Sequence, residues 1–443
     1  MKAVIQAGGR GTRLTSITKD LIPKPMIEID GKPILEHQIN NLKEYGITDI
    51  VLVIGHLGNV IEEYFKDGAR FGVNISYYRE DPNKLLGTAG ALYYLKETIN
   101  DDFIFLLADV FINIDFERMI KFHRDKNAVI TLFTHPNAHP YDSDIIIEEK
   151  NIVRKFDYKT NDRSNYDYKN IVNAGIMIFN KDVLNLLKEP KKYDYEKDLI
   201  RPLIETNRVY SYISSEYAKD TGTPERYNLV KQDYEKGICE QKNLKNLQKA
   251  IFLDRDGTVI KYIPFLNKKE QVELIPNAAE AIKEINNSGY LCIIVTNQPI
   301  IARGESTVEN LNEIHKRLEV LLGQNGAYID RIYYCPHHPD KGFEGEIKEL
   351  KIDCDCRKPK IGMLKEAKKD FNIDFKESYI IGDSTLDVKT GINAGIKTIL
   401  VKTGQAGEDK KYDVTADFIE NDIYAAVKKI LRKQEKKWIL KKQ

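Results

Sequence analysis

Short apolar runs separated by longer stretches of mixed polarity recur along the whole chain. In the first half they occupy residues 3–7, 50–54, 103–107 and 128–133, and in the second half residues 250–253, 291–295, 379–381 and 398–401. Short strands that alternate with helix-length amphipathic stretches are typical of parallel α/β sheets. We therefore predict an α/β protein with two doubly wound, mostly parallel domains.

A helix-like segment at residues 224–237, with proline at its start and glycine at its end, closes the first series of runs. The polar residues that follow it predict a linker. Residues 158–170 are also polar and predict a loop or an edge hairpin. The predicted organisation is a first domain at 1–240, a linker at 241–248, a second domain at 249–431 and a basic tail at 432–443.

The composition is that of an ordinary folded protein, with 42% apolar residues in a chain of 443. The 68 basic and 67 acidic residues nearly cancel, so charge gives no reason to expect a nucleic acid partner. The longest apolar run, residues 103–108, is far shorter than the roughly 18 residues of a membrane span. Five cysteines are too few for a disulfide framework. We expect a cytoplasmic protein without a membrane span.

A glycine-rich turn follows the first apolar run, and two basic residues, Arg13 and Lys24, follow its glycines. Glycine lets backbone N–H groups approach a polyphosphate closely, and cations offset its charge. The Gly-Lys-Ser/Thr of a P-loop is absent, and Leu14 replaces the third glycine of a dinucleotide fingerprint. Taken alone, the turn also fits a tight strand-to-helix connection. The candidates for binding a nucleotide here are Ala7, Gly8, Gly9, Gly11, Thr12, Arg13 and Lys24.

The glycine turn, Arg13 and the prolines on both sides of Lys24 resemble the signature of the sugar-1-phosphate nucleotidylyltransferases. Further positions of that family recur in order over residues 1–240. The family has glycine before its first metal aspartate, whereas this chain has Ala108. By the resemblance, the nucleotide is contacted by Gly87, Thr88 and Asp109, Mg²⁺ by Asp109 and Asp220, and the sugar by Asn173, Gly175, Glu196 and Lys197.

Nucleotidyl transfer brings several negative charges together, because a sugar-phosphate oxygen attacks the α-phosphorus of a nucleoside triphosphate. Mg²⁺ on Asp109 and Asp220 would offset this repulsion and orient in-line attack, together with the catalytic candidates Arg13 and Lys24. An isolated aspartate is as often a helix cap or a turn residue. The ordered set of positions favours the enzyme interpretation.

The second half opens with Asp254 and Asp256 at the end of an apolar run. In extended chain, positions i and i+2 face the same way, so both carboxylates can meet one phosphate. One can attack phosphorus to form an aspartyl-phosphate, and the other can exchange the proton of the leaving group. An Asx turn is the alternative interpretation of this motif alone.

Three later motifs give this half its resemblance to the haloacid dehalogenase (HAD) superfamily: Thr296-Asn297-Gln298, Arg357-Lys358-Pro359 and Gly382-Asp383-Ser384. The resemblance implies that Asp254 is the nucleophile and Asp256 the general acid and base. It further implies that Thr296 and Lys358 hold the phosphoryl group, and that Asp254, Asp383 and the backbone carbonyl of Asp256 bind Mg²⁺. We expect Asp387 to be a charge at a helix N-terminus.

Four potential zinc ligands occur as Cys335-x-His337 and Cys354-x-Cys356. A Cys-x-His pair followed by a Cys-x-Cys pair supplies four ligands, which is typical of a closed, tetrahedral, structural Zn²⁺ site. His338 is an alternative to His337. Because Arg357 follows the last cysteine directly, we expect the zinc to fix the loop that presents Arg357 and Lys358.

Within the superfamily, this zinc loop resembles the heptose 1,7-bisphosphate phosphatases and their near relatives, the histidinol-phosphate phosphatases. The resemblance implies that Arg357 binds the second, non-reacting phosphate. Two departures affect the substrate contacts: Pro299-Ile300 stands where the heptose enzymes have Ser-Gly, and Ser384 where many have lysine. The predicted substrate contacts are Asn297, Gln298, Arg357 and Ser384.

These resemblances predict a bifunctional enzyme of nucleotide-activated heptose biosynthesis. Its phosphatase would remove the C7 phosphate of D-glycero-D-manno-heptose 1,7-bisphosphate through an aspartyl-phosphate. Its transferase would then join heptose 1-phosphate to a nucleoside triphosphate and release pyrophosphate. The first half resembles the heptose guanylyltransferases, which act on the α-anomer, and this resemblance favours GTP. The alternatives are the same two chemistries on another sugar, a histidinol-phosphate-type phosphatase, or a nucleotide-sugar-binding scaffold with one inactive domain. A homo-oligomer is compatible with the sequence.

Overall fold

The computed structural model describes residues 1–9, 14–81 and 84–442 of the chain, which form two compact units. Unit 1 comprises Met1–His135, Ile146–Asp157 and Ile171–Asn243, and unit 2 comprises Pro136–Ile145, Tyr158–Asn170 and Leu244–Gln443. Within the described ranges, no helix combines the length and apolarity needed to span a membrane.

Unit 1 is built around a mixed sheet. Its strands are β1 (Lys2–Ala7), β2 (Glu28–Ile29), β3 (Lys32–Pro33), β4 (Asp49–Ile54), β5 (Asn74–Arg79), β6 (Phe103–Leu107), β7 (Val110–Asn113), β8 (Ile130–His135), β9 (Ile145–Glu149), β10 (Ile152–Asp157), β11 (Val172–Phe179), β12 (Val209–Ile213) and β13 (Tyr217–Asp220). Nine of these described strands form one sheet in the order β5-β4-β1-β6-β11-β8-β12-β10-β9. The pairs β13–β7 and β2–β3 form two small separate sheets.

The helices of unit 1 connect these strands. They are α1 (Thr15–Thr18), α2 (Ile34–Glu44), α3 (Gly58–Phe65), α4 (Leu92–Leu95), α5 (Phe116–Asp125), α6 (Pro224–Glu235) and α7 (Ile238–Gln241). Short 3₁₀ segments occur at Lys24–Met26, Ala69–Phe71, Lys96–Thr98, Lys181–Leu186 and Arg201–Thr206, and a π-helical segment at Tyr195–Ile200. Thr223 caps α6 by accepting the N–H of Arg226, and Pro224 occupies its first turn, where no N–H is needed.

Unit 2 has a fully parallel sheet in its described residues, in the order β16-β15-β14-β17-β18-β19. The strands are β14 (Lys249–Leu253), β15 (Tyr290–Asn297), β16 (Arg331–Cys335), β17 (Tyr379–Gly382), β18 (Lys397–Val401) and β19 (Phe418–Glu420). The helices are α8 (Ala278–Asn286), α9 (Val308–Gln324), α10 (Gly362–Phe371), α11 (Thr385–Ala394) and α12 (Ile423–Lys442). Further 3₁₀ turns lie at Pro140–Asp142, Lys269–Gln271, Lys348–Leu350 and Phe375–Glu377.

Both faces of the parallel sheet are buried. Ile251 and Leu253 of β14 pack into a core with α8, α9 and α12, whereas Ala250 and Phe252 pack into a second core with α10. Successive residues of a strand point to opposite faces, so a strand covered on both sides needs a continuous apolar run. This explains why the runs of the second half show no alternation.

The predicted α/β class is confirmed, and each predicted apolar run overlaps a strand. The expectation of a mostly parallel sheet holds for unit 2. In unit 1 the sheet is mixed, because β11 pairs antiparallel with both β6 and β8. Residues 158–170 form a loop and belong to unit 2, where Asp167 makes ion pairs with Lys269 at 3.0 Å and Arg317 at 3.4 Å.

Candidate active sites

The two aspartates predicted to bind Mg²⁺ in unit 1 lie on neighbouring segments. Strands β7 and β13 pair antiparallel, with Val110 opposite Asp220. The N–H and the hydroxyl of Thr221 both donate to the carbonyl of Asp109, at 3.0 and 2.8 Å. The strand pairing therefore brings together two acidic residues that are far apart in the sequence.

Lys24 joins these two aspartates. Its Nζ lies 2.6 Å from Oδ2 of Asp109 and 3.5 Å from Oδ1 of Asp220. Lys24 is 8% exposed and starts a 3₁₀ turn directly after Pro23. Burial raises the pKa of Asp220, but the charges of Lys24 and Arg226 outweigh it and hold that pKa below its usual value. The carboxylate of Asp220 is therefore ionised at neutral pH.

The chemistry of this pair fits Mg²⁺. The side chains of Asp109 and Asp220 are 36% and 35% exposed, so a ligand can reach them. Mg²⁺ commonly binds to one or two protein carboxylates and completes its shell with water and substrate phosphates. Two accessible carboxylates beside a buried lysine can thus hold both the ion and a polyphosphate.

The predicted glycine turn lies at the same edge of the sheet. Ala7 ends β1, Gly8 and Gly9 follow it, and the N–H of Ala108 donates to the carbonyl of Gln6 at 3.1 Å. The turn and Asp109 thus follow adjacent strands. The predicted residues Gly11, Thr12 and Arg13 lie outside the described residues.

The segment predicted to bind the base is held against a second loop. Gly87 has a φ of +78°, and a Cβ there would lie 2.4 Å from the carbonyl oxygen of Tyr193, so this position requires glycine. The hydroxyl of Thr88 donates to Asp194 at 3.1 Å and accepts the N–H of Tyr195 at 2.9 Å. The hydroxyl of Thr88 is therefore already engaged with the protein.

The residues predicted to bind the sugar lie on two elements. Glu196 and Lys197 start the π-helical segment, and their N–H groups donate to Asp194, each at 3.0 Å. Because Asp194 also bonds Thr88, the predicted base and sugar segments share one contact. Asn173 and Gly175 lie on β11, beside β6, and the N–H of Gly175 donates to the Asn173 side chain at 3.1 Å.

In unit 2, the three central strands end in the predicted catalytic residues. Strand β14 pairs in parallel with β15 on one side and β17 on the other. Asp254 follows β14 directly, Asp383 follows β17, and Thr296 is the second-last residue of β15. The carboxyl ends of parallel strands share one edge, so the topology alone assembles these groups. All three are at least nine-tenths buried.

Lys358 reaches this edge from a loop. Its Nζ lies 2.7 Å from Oδ1 of Asp254 and 2.5 Å from Oδ1 of Asp387, and the residue is 3% exposed. Burial opposes its charge, but Asp254 and Asp387 raise the pKa of Lys358 above its usual value. Lys358 therefore stays charged inside the site, and its ion pairs tie together the two acids.

Three acidic side chains surround the single charge of Lys358. Asp254, Asp383 and Asp387 each place a carboxylate oxygen within 4.8 Å of the others. Burial raises the pKa of Asp254, and burial and the charge of Asp387 raise the pKa of Asp383 to about 7. The single charge of Lys358 does not balance three buried carboxylates, whereas Lys358 and a divalent cation together would. The cluster thus fits Mg²⁺, whose preferred protein ligands are oxygen atoms.

Asp256 lies outside this cluster. Arg255 donates hydrogen bonds to the carboxylate of Asp256 from Nε and Nη2. The Nη2 atom lies 3.0 and 2.9 Å from the two carboxylate oxygens. Gln298 donates to Asp256 at 3.0 Å and to the hydroxyl of Thr296 at 2.9 Å. The predicted general acid is thus held by two side chains beside the predicted phosphoryl site.

Two residues predicted to contact substrate are engaged within the protein. The amide of Asn297 bonds both the N–H and the carbonyl of Lys358, at 3.0 and 3.2 Å. Ser384 is the N-cap of α11, and its hydroxyl donates to Asp387 at 2.5 Å. Asn297 therefore orients the loop that carries Lys358, and Ser384 orients Asp387.

The four predicted zinc ligands form one cluster. Sulfur atoms of Cys335, Cys354 and Cys356 lie 3.2 to 3.4 Å apart, and Nδ1 of His337 lies 3.3 Å from Cys356 and 3.7 Å from Cys335. A tetrahedral Zn²⁺ with bonds of about 2.0–2.3 Å separates its ligand atoms by roughly 3.3–3.8 Å. The donor set of three thiols and one imidazole fits Zn²⁺, although the sulfur atoms lie closer together than the roughly 3.8 Å expected of two Zn–S bonds of about 2.3 Å.

His337, and not its neighbour His338, belongs to this cluster. His338 instead accepts the N–H of Asp340 at 3.2 Å through Nδ1. Arg357, the residue after Cys356, donates to the carbonyl of His337 at 3.2 Å. The cluster thus connects directly to the loop that presents Arg357.

Comparison with known proteins assigns the first half of the chain. A model of the nucleotidyl transferase family matches residues 2–237, which is more than half of the chain. The chain belongs to the nucleotidyl transferase family. A second model, described as HAD-hydrolase-like, matches residues 355–426. The matched ranges lie on either side of the polar segment that predicts the linker.

Relatives of the second half are phosphatases. It is 38% identical over 182 residues to the D-glycero-beta-D-manno-heptose-1,7-bisphosphate 7-phosphatase of Haemophilus ducreyi, a match covering 40% of this chain and 94% of that protein. The second half therefore belongs to the same family as this phosphatase. The chain thus combines a nucleotidyl transferase with a HAD-like phosphatase.

Two similar solved structures correspond to the two halves. HddC from Yersinia pseudotuberculosis is 25% identical, with 53% of this chain and 99% of that chain covered and a TM-score of 0.45. The D,D-heptose 1.7-bisphosphate phosphatase from B. bronchiseptica, complexed with magnesium and phosphate, is 28% identical, with 42% and 99% covered and a TM-score of 0.37.

In the nucleotidyl transferase half, sequence reasoning missed Glu80. It follows β5 directly, is 3% exposed, and one of its oxygens would lie 2.4 Å from a Cβ on Gly8. Burial raises the pKa of Glu80. Strand β5 is largely polar and aromatic, so the sequence carries no signal for this acid, and only the fold brings Glu80 to the glycine turn.

In the phosphatase half, sequence reasoning missed the contacts of Arg255 and Asp387. Arg255 is 1% exposed, and its Nη1 lies 3.2 Å from Nε2 of His315. Asp387 caps α11, as expected for a charge at a helix N-terminus, but it also pairs with Lys358. No spacing along the sequence indicates either of these long-range contacts.

Proposed function

We propose that this nucleotidyl transferase is a bifunctional enzyme of nucleotide-activated heptose synthesis. Unit 2 hydrolyses the C7 phosphate of D-glycero-D-manno-heptose 1,7-bisphosphate, and unit 1 transfers a nucleotidyl group to heptose 1-phosphate. The observation that carries the proposal is the buried group of Asp254, Asp383 and Lys358 in a half-chain that belongs to a heptose bisphosphate phosphatase family. A sugar 1-phosphate left by one unit is the nucleophile needed by the other.

The phosphatase reaction proceeds in two displacements. A carboxylate oxygen of Asp254 attacks the C7 phosphorus, the bond from phosphorus to the sugar oxygen breaks, and Asp256 protonates that oxygen. Water then attacks the aspartyl-phosphate and gives its proton to Asp256, which releases phosphate and restores Asp254. Lys358 and Thr296 hold the phosphoryl oxygens. The carboxylates of Asp254 and Asp383 and the backbone carbonyl of Asp256 would hold Mg²⁺, which would supply charge neutralisation.

The transfer reaction is a single displacement. A phosphate oxygen of the sugar 1-phosphate attacks the α-phosphorus of the nucleoside triphosphate, and the bond to the departing pyrophosphate breaks. Lys24 and Arg13 offset the charge of the phosphates, and the turn at Gly8 and Gly9 lets backbone N–H groups approach them. Asp109 and Asp220 would hold Mg²⁺, which would supply further neutralisation. Gly87 and Thr88 bind the base, and GTP is favoured by the resemblance to the heptose guanylyltransferases.

The Cys335 cluster binds a structural Zn²⁺ in this proposal. Replacing His337 with glutamine should lower bound zinc to about a tenth or less, since a structural site depends on its complete ligand set. Phosphatase activity should fall with it, because the zinc loop carries Arg357 and Lys358. Zinc content by elemental analysis is the measurement.

The matched control for this prediction is the neighbouring histidine. His338→Gln removes an imidazole one residue away and outside the cluster, so the zinc content should stay at the level of the unchanged protein. Equal zinc content in the His337 and His338 variants would contradict the ligand assignment.

The proposed function is tested with both anomers of heptose 1,7-bisphosphate. The related H. ducreyi enzyme is named for the β-anomer, whereas the resemblance to the guanylyltransferases favours the α-anomer. Phosphate release is measured with Mg²⁺, and each nucleoside triphosphate is then added in turn. We expect phosphate release followed by nucleotide-sugar formation, fastest with GTP.

Each half of the proposal has its own contradicting result. No phosphate from either anomer, with faster turnover of histidinol phosphate or another ester, would reject the heptose assignment. Phosphate release without consumption of any nucleoside triphosphate would reject the transferase assignment. The faster anomer identifies the sugar 1-phosphate that unit 1 receives.

A further inference from the structure

A buried glutamine of unit 1 bonds both sides of the turn that carries Asp109. Gln38 lies on α2 and is fully buried. Its Nε2 donates to the carbonyl of Leu107 at 3.0 Å and to the carbonyl of Val110 at 2.7 Å. Because Leu107 ends β6 and Val110 begins β7, one side-chain nitrogen joins the two ends of the turn at 108–109.

A second side chain holds the carbonyl of Asp109 itself. That carbonyl accepts both the N–H and the hydroxyl of the fully buried Thr221, at 3.0 and 2.8 Å. The carbonyls of Leu107, Asp109 and Val110 are therefore all fixed by residues from outside the turn. Because the side chain of Asp109 starts from this backbone, the direction of its carboxylate depends on these hydrogen bonds.

Packing alone does not require a glutamine at this position of α2. The other buried residues of the helix are mostly apolar, and the Oε1 atom of Gln38 is buried without a hydrogen-bond partner among the described residues. A buried amide oxygen that lacks a donor lowers the stability of the fold. The contribution of this side chain is therefore its pair of hydrogen bonds to the turn.

The same helix holds the other end of β7 in a similar way. Asn41 lies three residues after Gln38 and is also buried. Its side chain donates to the carbonyl of Ile114 at 3.1 Å and accepts the N–H of Ile114 at 3.0 Å. Residues three apart share one face of a helix, so α2 presents two buried amides to the two ends of β7. The first of these amides spans Asp109, and the second is remote from it in sequence.

We propose that Gln38 and Thr221 are positioning residues for nucleotidyl transfer, which act by fixing the backbone on both sides of Asp109. The octahedral geometry of Mg²⁺ tolerates little error in the direction of a ligand. A carboxylate on a looser turn keeps its charge but holds the ion, and with it a triphosphate, less well. This inference rests on the proposed role of Asp109 as a Mg²⁺ ligand, and it names the residues that orient that ligand.

The test replaces Gln38 with methionine, which has a similar length but cannot donate a hydrogen bond. The probe is a GTP analogue with a methylene group between its α- and β-phosphates, and its binding is measured by calorimetry with Mg²⁺ and with EDTA. In Gln38→Met the gain in affinity that Mg²⁺ confers should fall about tenfold or more, because the metal ligand is no longer held in place. The affinity in EDTA should be unchanged.

Two kinetic measurements accompany the binding test. In Gln38→Met the kcat of transfer should fall about tenfold or more, with little change in KM for heptose 1-phosphate. The Mg²⁺ concentration that gives half the maximal transfer rate should rise. Phosphate release by the same preparation should be unchanged, because that reaction uses the residues of unit 2.

A second variant and a matched control complete the test. Thr221→Val nearly preserves the shape of the side chain and removes one of the two donors to Asp109, so its effect should have the same direction and a smaller size. Asn41→Leu removes the equivalent hydrogen bonds at the far end of β7. It should lower the temperature of thermal unfolding without changing the gain in affinity from Mg²⁺.

The outcomes separate the inference from the proposed function. An unchanged gain in folded Gln38→Met, or an equal loss in Asn41→Leu, would overturn the inference while the proposed function stands. If Gln38→Met does not fold, Thr221→Val decides, and an unchanged gain in that variant overturns the inference. If the unaltered enzyme transfers no nucleotide and binds the analogue no more tightly with Mg²⁺, the proposed transferase function itself fails and the inference fails with it.

Discussion

Replacing Asp254 with asparagine should abolish phosphate release and leave nucleotidyl transfer intact. Asparagine has nearly the same shape but is not a nucleophile for phosphorus, so no aspartyl-phosphate can form. We expect kcat for heptose bisphosphate to fall by about ten-thousandfold or to background, as for other covalent nucleophiles. Phosphate release and nucleotide consumption are measured on the same preparation.

The control for this variant is Asp353→Asn, which changes an aspartate whose side chain is 75% exposed in the same unit. It should retain both activities. Substantial phosphate release by the Asp254 variant would contradict the nucleophile assignment. Loss of both activities in a folded protein would contradict the independence of the two sites.

Replacing Asp109 with asparagine should slow nucleotidyl transfer and leave phosphate release intact. Asp109 is the nearer acidic partner of Lys24, at 2.6 Å, and directly precedes Val110, which is opposite Asp220 in the β7–β13 pair. Removal of its charge takes away a proposed Mg²⁺ ligand, so transfer should slow by at least about a thousandfold. Formation of pyrophosphate from GTP and heptose 1-phosphate is the measurement, and phosphatase activity should be unchanged.

Asp125→Asn is the matched control in unit 1, because Asp125 is exposed at the end of α5 and pairs with the surface residue Lys121. It should transfer nucleotides at the rate of the unaltered enzyme. If the Asp109 variant does so too, Asp109 is not a metal ligand, and Lys24 and Asp220 would need another role.

Much of the fold could be predicted because a short apolar run indicates a buried strand from the local sequence alone. Each predicted run overlaps a strand, and residues after the runs, such as Asp254 and Asp383, lie at the common edge of the sheet. The direction of β11 could not be predicted, because an apolar run of this kind fits either orientation. The sheet of unit 1 is mixed because of β11 and because β10 pairs antiparallel with β12.

The partners of the site residues were harder to predict than their positions. The family motifs indicated that Lys358 lies beside Asp254. They did not reveal that Asn297 bonds the backbone of Lys358 or that Arg255 donates to the carboxylate of Asp256. These contacts depend on side-chain directions and on loops that meet only in the folded chain.

The phosphatase site takes its side chains from four separate parts of the chain, namely the ends of β14, β15 and β17 and the loop that carries Lys358. Chain synthesis must therefore pass Asp383 before the complete site can form. A ribosome-bound or truncated chain that lacks β17 has the nucleophile Asp254 but no complete site around it. The strand order thus couples catalytic competence to completion of unit 2 and makes phosphate release a direct reporter of its folding.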